Sequence, residues 1–377
     1  MKIKLIKEAI AMFSLVAVSV CTFGLNVTVA TDGAANTSLL RDTSGGATPI
    51  VKAKWEMNAT RNAAGEYLGT DDATTAGAQF MPSGQYQVNK TITLCAVVTD
   101  PDGLADIDAV YADVFYPEGI SLGDSHVPLS DQSGLGCGEL MQEDTLTRLS
   151  LDDGYELFCS KVKNGNNNLP VFNTGYDYDE ICNVDTGELM KLTAAVYCGD
   201  KTISYEDPSG NYKVWAVAQD KVGLQGTLEN HFTYLPLTAF EKDFTAVSYG
   251  NVKLNTHKII SGDLTWDSGT GANPATVRNV GNTRLSLKVM QDDMDLGKTD
   301  DIYNVLYDGR VGSDVSFVNY RPYTYRLLPG PLDLSEKNEI DFSILISKFP
   351  PTHDGDCYTG TMTLIAVPAP HLTVCIN

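Results

Sequence analysis

The stretch TITLCAVVTDPDGLADIDAVYADVFY, residues Thr91–Tyr116, decides the fold. A largely apolar run ends at Thr99, the sequence DPDG follows, and a second run with apolar residues at alternate positions begins at Ile107. Alternation with a period of two is typical of a strand with one buried face, and Asp, Pro and Gly favour tight turns. The stretch therefore predicts two strands joined by a turn.

The stretch NYKVWAVAQDKVGLQG, Asn211–Gly226, has the same organisation. Its apolar residues alternate as far as Ala218, and the sequence DKVG then breaks the strand. We expect the two stretches to form opposite edges of one β-sandwich. Trp215 alternates with Val214, so its side chain is predicted to face away from the core, where an exposed indole would suit contact with a glycan.

The first thirty residues are typical of a secretory signal peptide. Three lysines precede the apolar stretch Ala9–Leu25, and the small residues TVA at positions 28–30 suit cleavage. An uncleaved anchor helix is the alternative, because the apolar stretch approaches the length that spans a bilayer. We predict that residues 1–30 are removed, that no membrane span remains, and that the protein is secreted and associated with the cell surface.

The charge of the chain excludes one class of partner. The 377 residues include 48 acidic and 27 basic ones, which gives a formal net charge of −21. A protein that binds nucleic acid needs a basic surface to neutralise phosphates, so nucleic acid is not expected as a partner. Other surface proteins, further copies of this chain and glycans are the partners that we predict.

Seven cysteines remain after the predicted cleavage, and an oxidising compartment makes disulfides their default state. No Cys-x-x-Cys pair occurs, which makes a structural zinc site improbable. Cys357 and Cys375 lie alone near the C-terminus and are predicted to pair. The pairing of the other five stays open: Cys95, Cys137, Cys159, Cys182 and Cys198.

Composition divides the chain into two predicted domains. Residues 31–79 are rich in Ala, Gly, Thr and Asn, so we expect a flexible segment to which Ile50–Met57 adds one strand at most. A sandwich is predicted over 80–236, with a cysteine-containing insertion at 117–190, and a second sandwich over 244–377. The insertion is the predicted place of partner contact, and a decorative insertion is the alternative. Three sequons mark candidate glycosylation sites: Asn36, Asn58 and Asn89.

Two groups of motifs resemble known surface proteins. The DPDGL turn, the strand IDAVYADV and the later GNYKVWAVAQDKVG resemble immunoglobulin-like repeats of prokaryotic, archaeal-type surface proteins. In the second domain, ATVRNVGNTRLSLKV (275–289), FSILI (342–346) and YTGTMTL (358–364) are similar to camelysin- and TasA-like sandwiches. The resemblance implies an all-β fold of two immunoglobulin-like or jelly-roll sandwiches in tandem, and TasA-like proteins form filaments.

Four carboxylates lie within nine residues around the first turn: Asp100, Asp102, Asp106 and Asp108. Ca²⁺ is a hard cation that prefers oxygen ligands, so this group is a candidate calcium site. Asp220 joins the group if the two turns fall at the same end of the sandwich. The spacing is not that of an EF-hand, and side-chain-capped turns are the alternative explanation.

No motif in the sequence indicates catalysis. Two triplets of the aspartic-protease type, at 185–187 and 267–269, are predicted to lie in different domains, and no metalloprotease, nucleophile-elbow or phosphate-loop motif occurs. We therefore predict a structural or adhesive surface protein without catalytic activity. The alternatives are a subunit of an extracellular filament or sheath, in which residues 31–79 donate a strand to the next copy, and a secreted hydrolase.

Overall fold

Two five-stranded sheets form the first sandwich. The computed structural model describes residues 46–73, 77–117, 138, 140–165, 169–267, 271, 274–351 and 357–370. The first sheet consists, in spatial order, of β6 (Thr147–Arg148), β8 (Ala194–Ile203), β3 (Lys90–Thr99), β1 (Ile50–Asn58) and β7 (Val171–Phe172). The second consists of β2 (Ala78–Phe80), β10 (Gln225–Tyr234), β9 (Gly210–Asp220), β4 (Ile107–Phe115) and β5 (Leu140–Thr145). All neighbours are antiparallel except β2 and β10.

Alternation along the strands places one face of each sheet in a shared core. Leu94 and Ala96 of β3 face Val114 of β4 and Val214 of β9, and all four are buried. Trp215 lies on the opposite face of β9, as the alternation predicts. The first sheet and the second are therefore held together by the apolar side chains that the alternating pattern identified.

Strand β1 is a central strand of the first sheet, and this corrects the predicted domain boundary. Ile50–Asn58 pairs with β3 from Ile50↔Thr99 to Asn58↔Ile92, and eight of its nine residues are buried. The strand that the sequence allowed over Ile50–Met57 is therefore present, but as a buried central strand of the sandwich and not as an addition to a flexible segment. The first sandwich begins at Ile50 rather than at Phe80, and residues 31–45 lie outside the described range.

The described part of the insertion adds β5, β6 and β7 to the edges of the two sheets, and its helical residues form a third layer on the outer face of the first sheet. Two short helices, α1 (Leu151–Tyr155) and α2 (Tyr178–Cys182), flank a π-helical turn, Glu156–Val162, that continues α1. Phe158 of this turn packs against Trp55 of β1, with ring centroids 5.0 Å apart. The insertion was predicted as a place of partner contact, but these residues cover a sheet face; residues 118–137 lie outside the described range.

A second core lies in the C-terminal part of the chain. One sheet consists of β11 (Phe240–Lys242), β13 (Thr276–Asn279), β20 (Lys337–Ile346), β17 (Val305–Val311) and β18 (Val318–Tyr320), with β12 (Lys258–Ile260) also pairing with β20. The facing sheet consists of β19 (Arg326–Leu327), β14 (Leu285–Gln291) and β21 (Met362–Pro368), and β15 (Lys298–Thr299) forms a hairpin with β16 (Ile302–Tyr303). Leu287 of β14 shares this core with Tyr307 of β17 and Phe342 of β20.

The corner that precedes β14 is bound to the segment that connects the two cores. Asn282 accepts a hydrogen bond from the N–H of Leu237 (2.7 Å) and donates one to the carbonyl of Leu235 (2.9 Å). Its own carbonyl accepts from Ser209, in the first sandwich (3.0 Å). The fold is all-β with two sandwich cores, and both belong to one compact unit, Gly46–Asn377, so the division into two tandem domains stays a prediction.

Candidate functional site

Two turns meet at one end of the first sandwich. The β3–β4 turn runs from Asp100 to Asp106, and the β9–β10 turn runs from Asp220 to Leu224. Strand pairing of Ile107 with Asp220, and a hydrogen bond from the N–H of Lys221 to the carbonyl of Asp106 (2.9 Å), bring the turns together. The two quoted stretches were predicted at opposite edges; β4 and β9 are instead neighbours in one sheet, which is what joins their turns.

Local side-chain capping shapes both turns. Asp100 Oδ1 accepts the N–H of Asp102 (2.8 Å), and Asp220 Oδ1 accepts the N–H of Val222 (3.0 Å) and that of Leu224 (2.7 Å). Gly103 has φ +107°, a conformation that side-chain-bearing residues rarely adopt. One oxygen of each capping carboxylate is therefore used within its own turn.

Three carboxylates of the β3–β4 turn lie close together. Oxygens of Asp100, Asp102 and Asp106 lie within 4.8 Å of one another, and no other group of this kind occurs among the described residues. Asp100 Oδ2 and Asp220 Oδ2 are buried and have no hydrogen-bond partner within the described part of the chain. Asp220 is fully buried, and an unpaired buried carboxylate oxygen is costly. The arrangement therefore fits a cation.

The negative charges of the clustered carboxylates repel one another, and this is reflected in the pKa of Asp100. The pKa of Asp100 is raised, first because the side chain is buried and then because Asp106, Asp102 and Asp220 are also negative. A bound Ca²⁺ would remove the mutual repulsion and would supply the missing partner of Asp100 Oδ2, whereas Asp220 lies outside the group that converges within 4.8 Å and would act on the site through its charge.

The segment that leads into β1 closes over the same cluster. The N–H of Ala47 donates to Asp102 Oδ2 (2.5 Å), and Gly46 lies against Val222 and Asp220. Pro49 contacts the backbone of Gly226 so closely that an added Cβ there would lie 1.8 Å from the Pro49 carbonyl. The cluster thus joins three segments of the chain that are far apart in sequence.

The remaining predicted ligand and glycosylation residues lie elsewhere. Asp108 is exposed at an irregularity between Ile107 and Ala109 and is not part of the cluster. The side chain of Asn58 is buried and donates to Asp72 (2.7 Å), so it is not accessible in the folded chain. Asn89 is exposed, and Asn36 lies outside the described residues.

Two disulfides settle part of the cysteine pairing. Cys95 of β3 and Cys198 of β8 are direct cross-strand partners, with Cα atoms 4.2 Å apart. Cys159 of the π-helical turn is bonded to Cys182 of α2.

The predicted disulfide between Cys357 and Cys375 stays a prediction, because one of the two residues lies outside the described range. Cys357 is exposed and carries a free thiol, while Cys375 and Cys137 lie outside the described residues.

A Ser–His–Asp grouping in the second core does not have the geometry of a catalytic triad. His257 Nδ1 lies 3.0 Å from Asp308 Oδ2 and 3.2 Å from Ser343 Oγ. In a triad the base contacts the serine through one ring nitrogen and the carboxylate through the other. Here both contacts are made by the same nitrogen, so proton transfer from the serine is not set up.

Trp215 lies on the outer face of the second sheet, where the glycan prediction placed it. Its ring packs edge-on against Phe115 with centroids 5.7 Å apart, and its Nε1 donates to Glu229 (2.5 Å). The indole is half-buried by these neighbours. Contact with a glycan stays a prediction.

Comparison with known proteins leaves the family of this chain open. No family model matches it, and no curated protein matches it. One similar solved structure is a chaperone–tip adhesin complex of CFA/I fimbriae (9% identity, TM-score 0.25, covering 86% of this chain and 92% of that one). Another is the C-terminal domain of the Streptococcus pyogenes antigen I/II-family protein AspA (11%, TM-score 0.21, 84% and 96%). A third is the CupB6 tip adhesin of Pseudomonas aeruginosa (8%, TM-score 0.23, 86% and 97%).

TM-scores of this size do not establish a common fold, and the resemblance to camelysin- and TasA-like proteins stays a prediction. The class is defined by the sheets themselves: an all-β protein with two sandwich cores, disulfides in the first, and a carboxylate cluster at one end of it. Within the described residues, no helix is long and apolar enough to span a membrane.

Proposed function

We propose that this chain is an exported structural or adhesive protein of the cell surface, without a catalytic role, and that its first sandwich binds Ca²⁺. The observation that carries the calcium assignment is the cluster of Asp100, Asp102 and Asp106, together with the fully buried Asp220. Two disulfides support export, because such bonds persist in oxidising compartments. The signal-like N-terminus points the same way.

The ion would have a structural role, because it would stabilise the contact between separate segments of the chain. It would hold the β3–β4 turn against the β9–β10 turn, and through Asp102 it would hold the backbone that enters β1 at Ala47. Calcium sites in extracellular modules commonly have dissociation constants of about 10⁻⁴ to 10⁻³ M, so an extracellular concentration near a millimolar would fill such a site.

Thermal unfolding with and without calcium tests the proposal. At about 1 mM calcium, a site with a dissociation constant of about 10⁻⁴ to 10⁻³ M stabilises the protein by about 0.4–1.4 kcal/mol, which corresponds to a rise in Tm of about 1–6 °C. Asp100→Asn and Asp106→Asn should abolish most of the rise. Asp108→Asn, which alters an exposed carboxylate beside the cluster, should keep it.

Two results would overturn the calcium assignment. One is a Tm that is the same in chelator and in millimolar calcium, and the other is a rise in Tm that Asp100→Asn does not reduce. Magnesium serves as the comparison ion, because its demand for octahedral geometry and its reluctance to lose water suit this flexible set of carboxylates less well.

Assembly into a filament by strand exchange is the second candidate. Strand β1 pairs with β3 along its length within its own chain, so it does not serve as a free donor in this structure. Its other edge pairs with β7 at two positions, Ala53↔Phe172 and Lys54↔Val171. Light scattering of the purified chain, with and without calcium, distinguishes the candidates, since polymers favour the filament and a monomer under both conditions excludes it.

A further inference from the structure

Strand β1 presents charged side chains to the interior of the first sandwich. Lys54 and Glu56 are buried between the two sheets, 1% and 0% exposed, and Asn230 of β10 faces them from the second sheet at 7%. Their cross-strand neighbours on the same faces are apolar: Leu94 and Ala96 of β3, and Val214 of β9.

The three polar groups contact one another in a closed arrangement. Lys54 Nζ contacts the carboxamide oxygen of Asn230 and lies 2.6 Å from Glu56 Oε1. The other carboxylate oxygen, Glu56 Oε2, accepts a hydrogen bond from Asn230 Nδ2 at 2.7 Å. One carboxyl group therefore touches both the amine and the nitrogen of the amide.

The surroundings favour reactivity of the amine. Burial, the largest cause, lowers the pKa of Lys54, although Glu56 acts in the opposite direction. A desolvated lysine that loses its proton is a nucleophile, and groups held in contact by the fold react with effective concentrations far above those in solution. Water is excluded from the site, so hydrolysis does not compete.

We propose that Lys54 and Asn230 form an intramolecular amide bond, with Glu56 as the catalytic residue. The reaction starts from the neutral amine of Lys54 and the ionised carboxylate of Glu56, the ammonium proton having left to solvent. Lys54 Nζ attacks the carboxamide carbon of Asn230, and Glu56 Oε1 accepts the proton that the attacking nitrogen loses. Glu56 then delivers a proton through Oε2 to Asn230 Nδ2, the carbon–nitrogen bond to that atom breaks, and ammonia leaves. One amide replaces another, so the step needs neither an oxidant nor an activating nucleotide, and Glu56 ends in its starting state.

The bond joins the two sheets covalently. Lys54 lies in the first strand of the sandwich and Asn230 in the last, 176 residues apart. A stretching force applied to the first and the last strand of the sandwich would then be resisted by a covalent bond as well as by hydrogen bonds between strands. This inference does not depend on calcium binding.

A second buried lysine of the sandwich shows what the site requires. Lys201 is also 1% exposed, and its Nζ lies 3.1 Å from Gln142 Oε1 and 3.1 Å from Asp144 Oδ2. Gln142 is an exposed residue, and among the described contacts no carboxyl group bridges its carboxamide to the lysine. We therefore expect reaction at Lys54 and none at Lys201.

Mass spectrometry of the full chain, reduced and alkylated so that disulfides do not contribute, tests the proposal. The wild-type protein is expected to be lighter than its sequence mass by one ammonia molecule, and digestion should yield one branched peptide that contains both Lys54 and Asn230. Glu56→Gln and Asn230→Ala should restore the full sequence mass. Glu229→Gln, which alters the exposed neighbour of Asn230, should leave the loss in place.

The wild-type mass decides the matter even if a variant fails to fold. A wild-type chain of full sequence mass, with Lys54 and Asn230 in separate linear peptides, overturns the proposal. So does an ammonia loss confined to a linear Asn230 peptide, because cyclisation of the asparagine onto its own backbone would explain it.

Discussion

Asp207 should make the stability of the first sandwich fall as the pH rises from about 4 to about 7. Its side chain is 4% exposed. It accepts hydrogen bonds from the Tyr116 hydroxyl (3.0 Å) and from the N–H of Ser204 (2.7 Å). Burial, the largest cause, raises its pKa from 3.8 to about 6, although both hydrogen bonds oppose the rise.

The sign and the size of the effect follow from this shift. A carboxyl group with a raised pKa holds its proton more tightly in the folded chain than in the unfolded one, so protonation favours folding. The contribution of Asp207 is fully present below its unfolded pKa and is lost as the pH rises through about 6. A shift of about two pKa units corresponds to about 3 kcal/mol.

Urea unfolding in the presence of chelator, followed by tryptophan fluorescence at several pH values, measures the effect. The difference in unfolding free energy between the wild type and Asp207→Asn should change by about 3 kcal/mol between about pH 4 and about pH 7. Asp108→Asn, at an exposed carboxylate, should follow the wild type. A difference between the wild type and Asp207→Asn that stays constant over this range would refute the reasoning.

Two further predictions concern the first sheet. Trp55→Ala should lower the free energy of unfolding by about 3–5 kcal/mol, because the ring is fully buried against Phe158, and Trp55→Phe should lower it by less. Denaturant unfolding followed by circular dichroism measures both free energies. A loss below about 1 kcal/mol for Trp55→Ala would contradict the packing of the third layer against this side chain. The double substitution Cys95→Ala/Cys198→Ala should lower the free energy of unfolding by about 2–5 kcal/mol, because the disulfide spans 103 residues. The control Cys357→Ala should change that free energy by less than about 0.5 kcal/mol. An equal effect of the two changes in the same assay would show that the cross-link does not stabilise the fold.

Sequence patterns predicted the long strands and the turns because both depend on neighbouring residues. Two signals of this local kind are the alternation in β4 and β9 and the DPDG turn. The alternation predicted the all-β fold, and the turn identified Asp100 and Asp102 as candidate ligands. Asp220 was added on the condition that the two turns share an end of the sandwich. Pairing of β4 with β9 brings the two turns together, but the carboxylates that converge are those of Asp100, Asp102 and Asp106, and Asp220 as a ligand stays a prediction.

The parts that were missed depend on partners distant in sequence. In β1 the charged Lys54 and Glu56 alternate with apolar residues, which is the pattern of a strand with one face in water, and the adjoining composition suggested a flexible segment. Their partner Asn230 is 176 residues from Lys54, so no local signal identifies the buried group. Strand β17 was missed for a different reason: its Asp308-Gly309 step resembles a turn, yet the strand continues through it and packs Gly309 under Leu328.

The placement of β1 and β10 also constrains how the protein is made. Synthesis delivers β1 first, and the strand that faces it across the core does not exist until the chain has grown to Tyr234. Until then the apolar faces of β1 and β3 are not covered by the second sheet. Exposed apolar surface and unpaired strand edges promote aggregation with other chains. The excess of acidic residues, which gives −21 over the complete chain, then matters before folding is complete, since nascent chains of the same sign of charge repel one another.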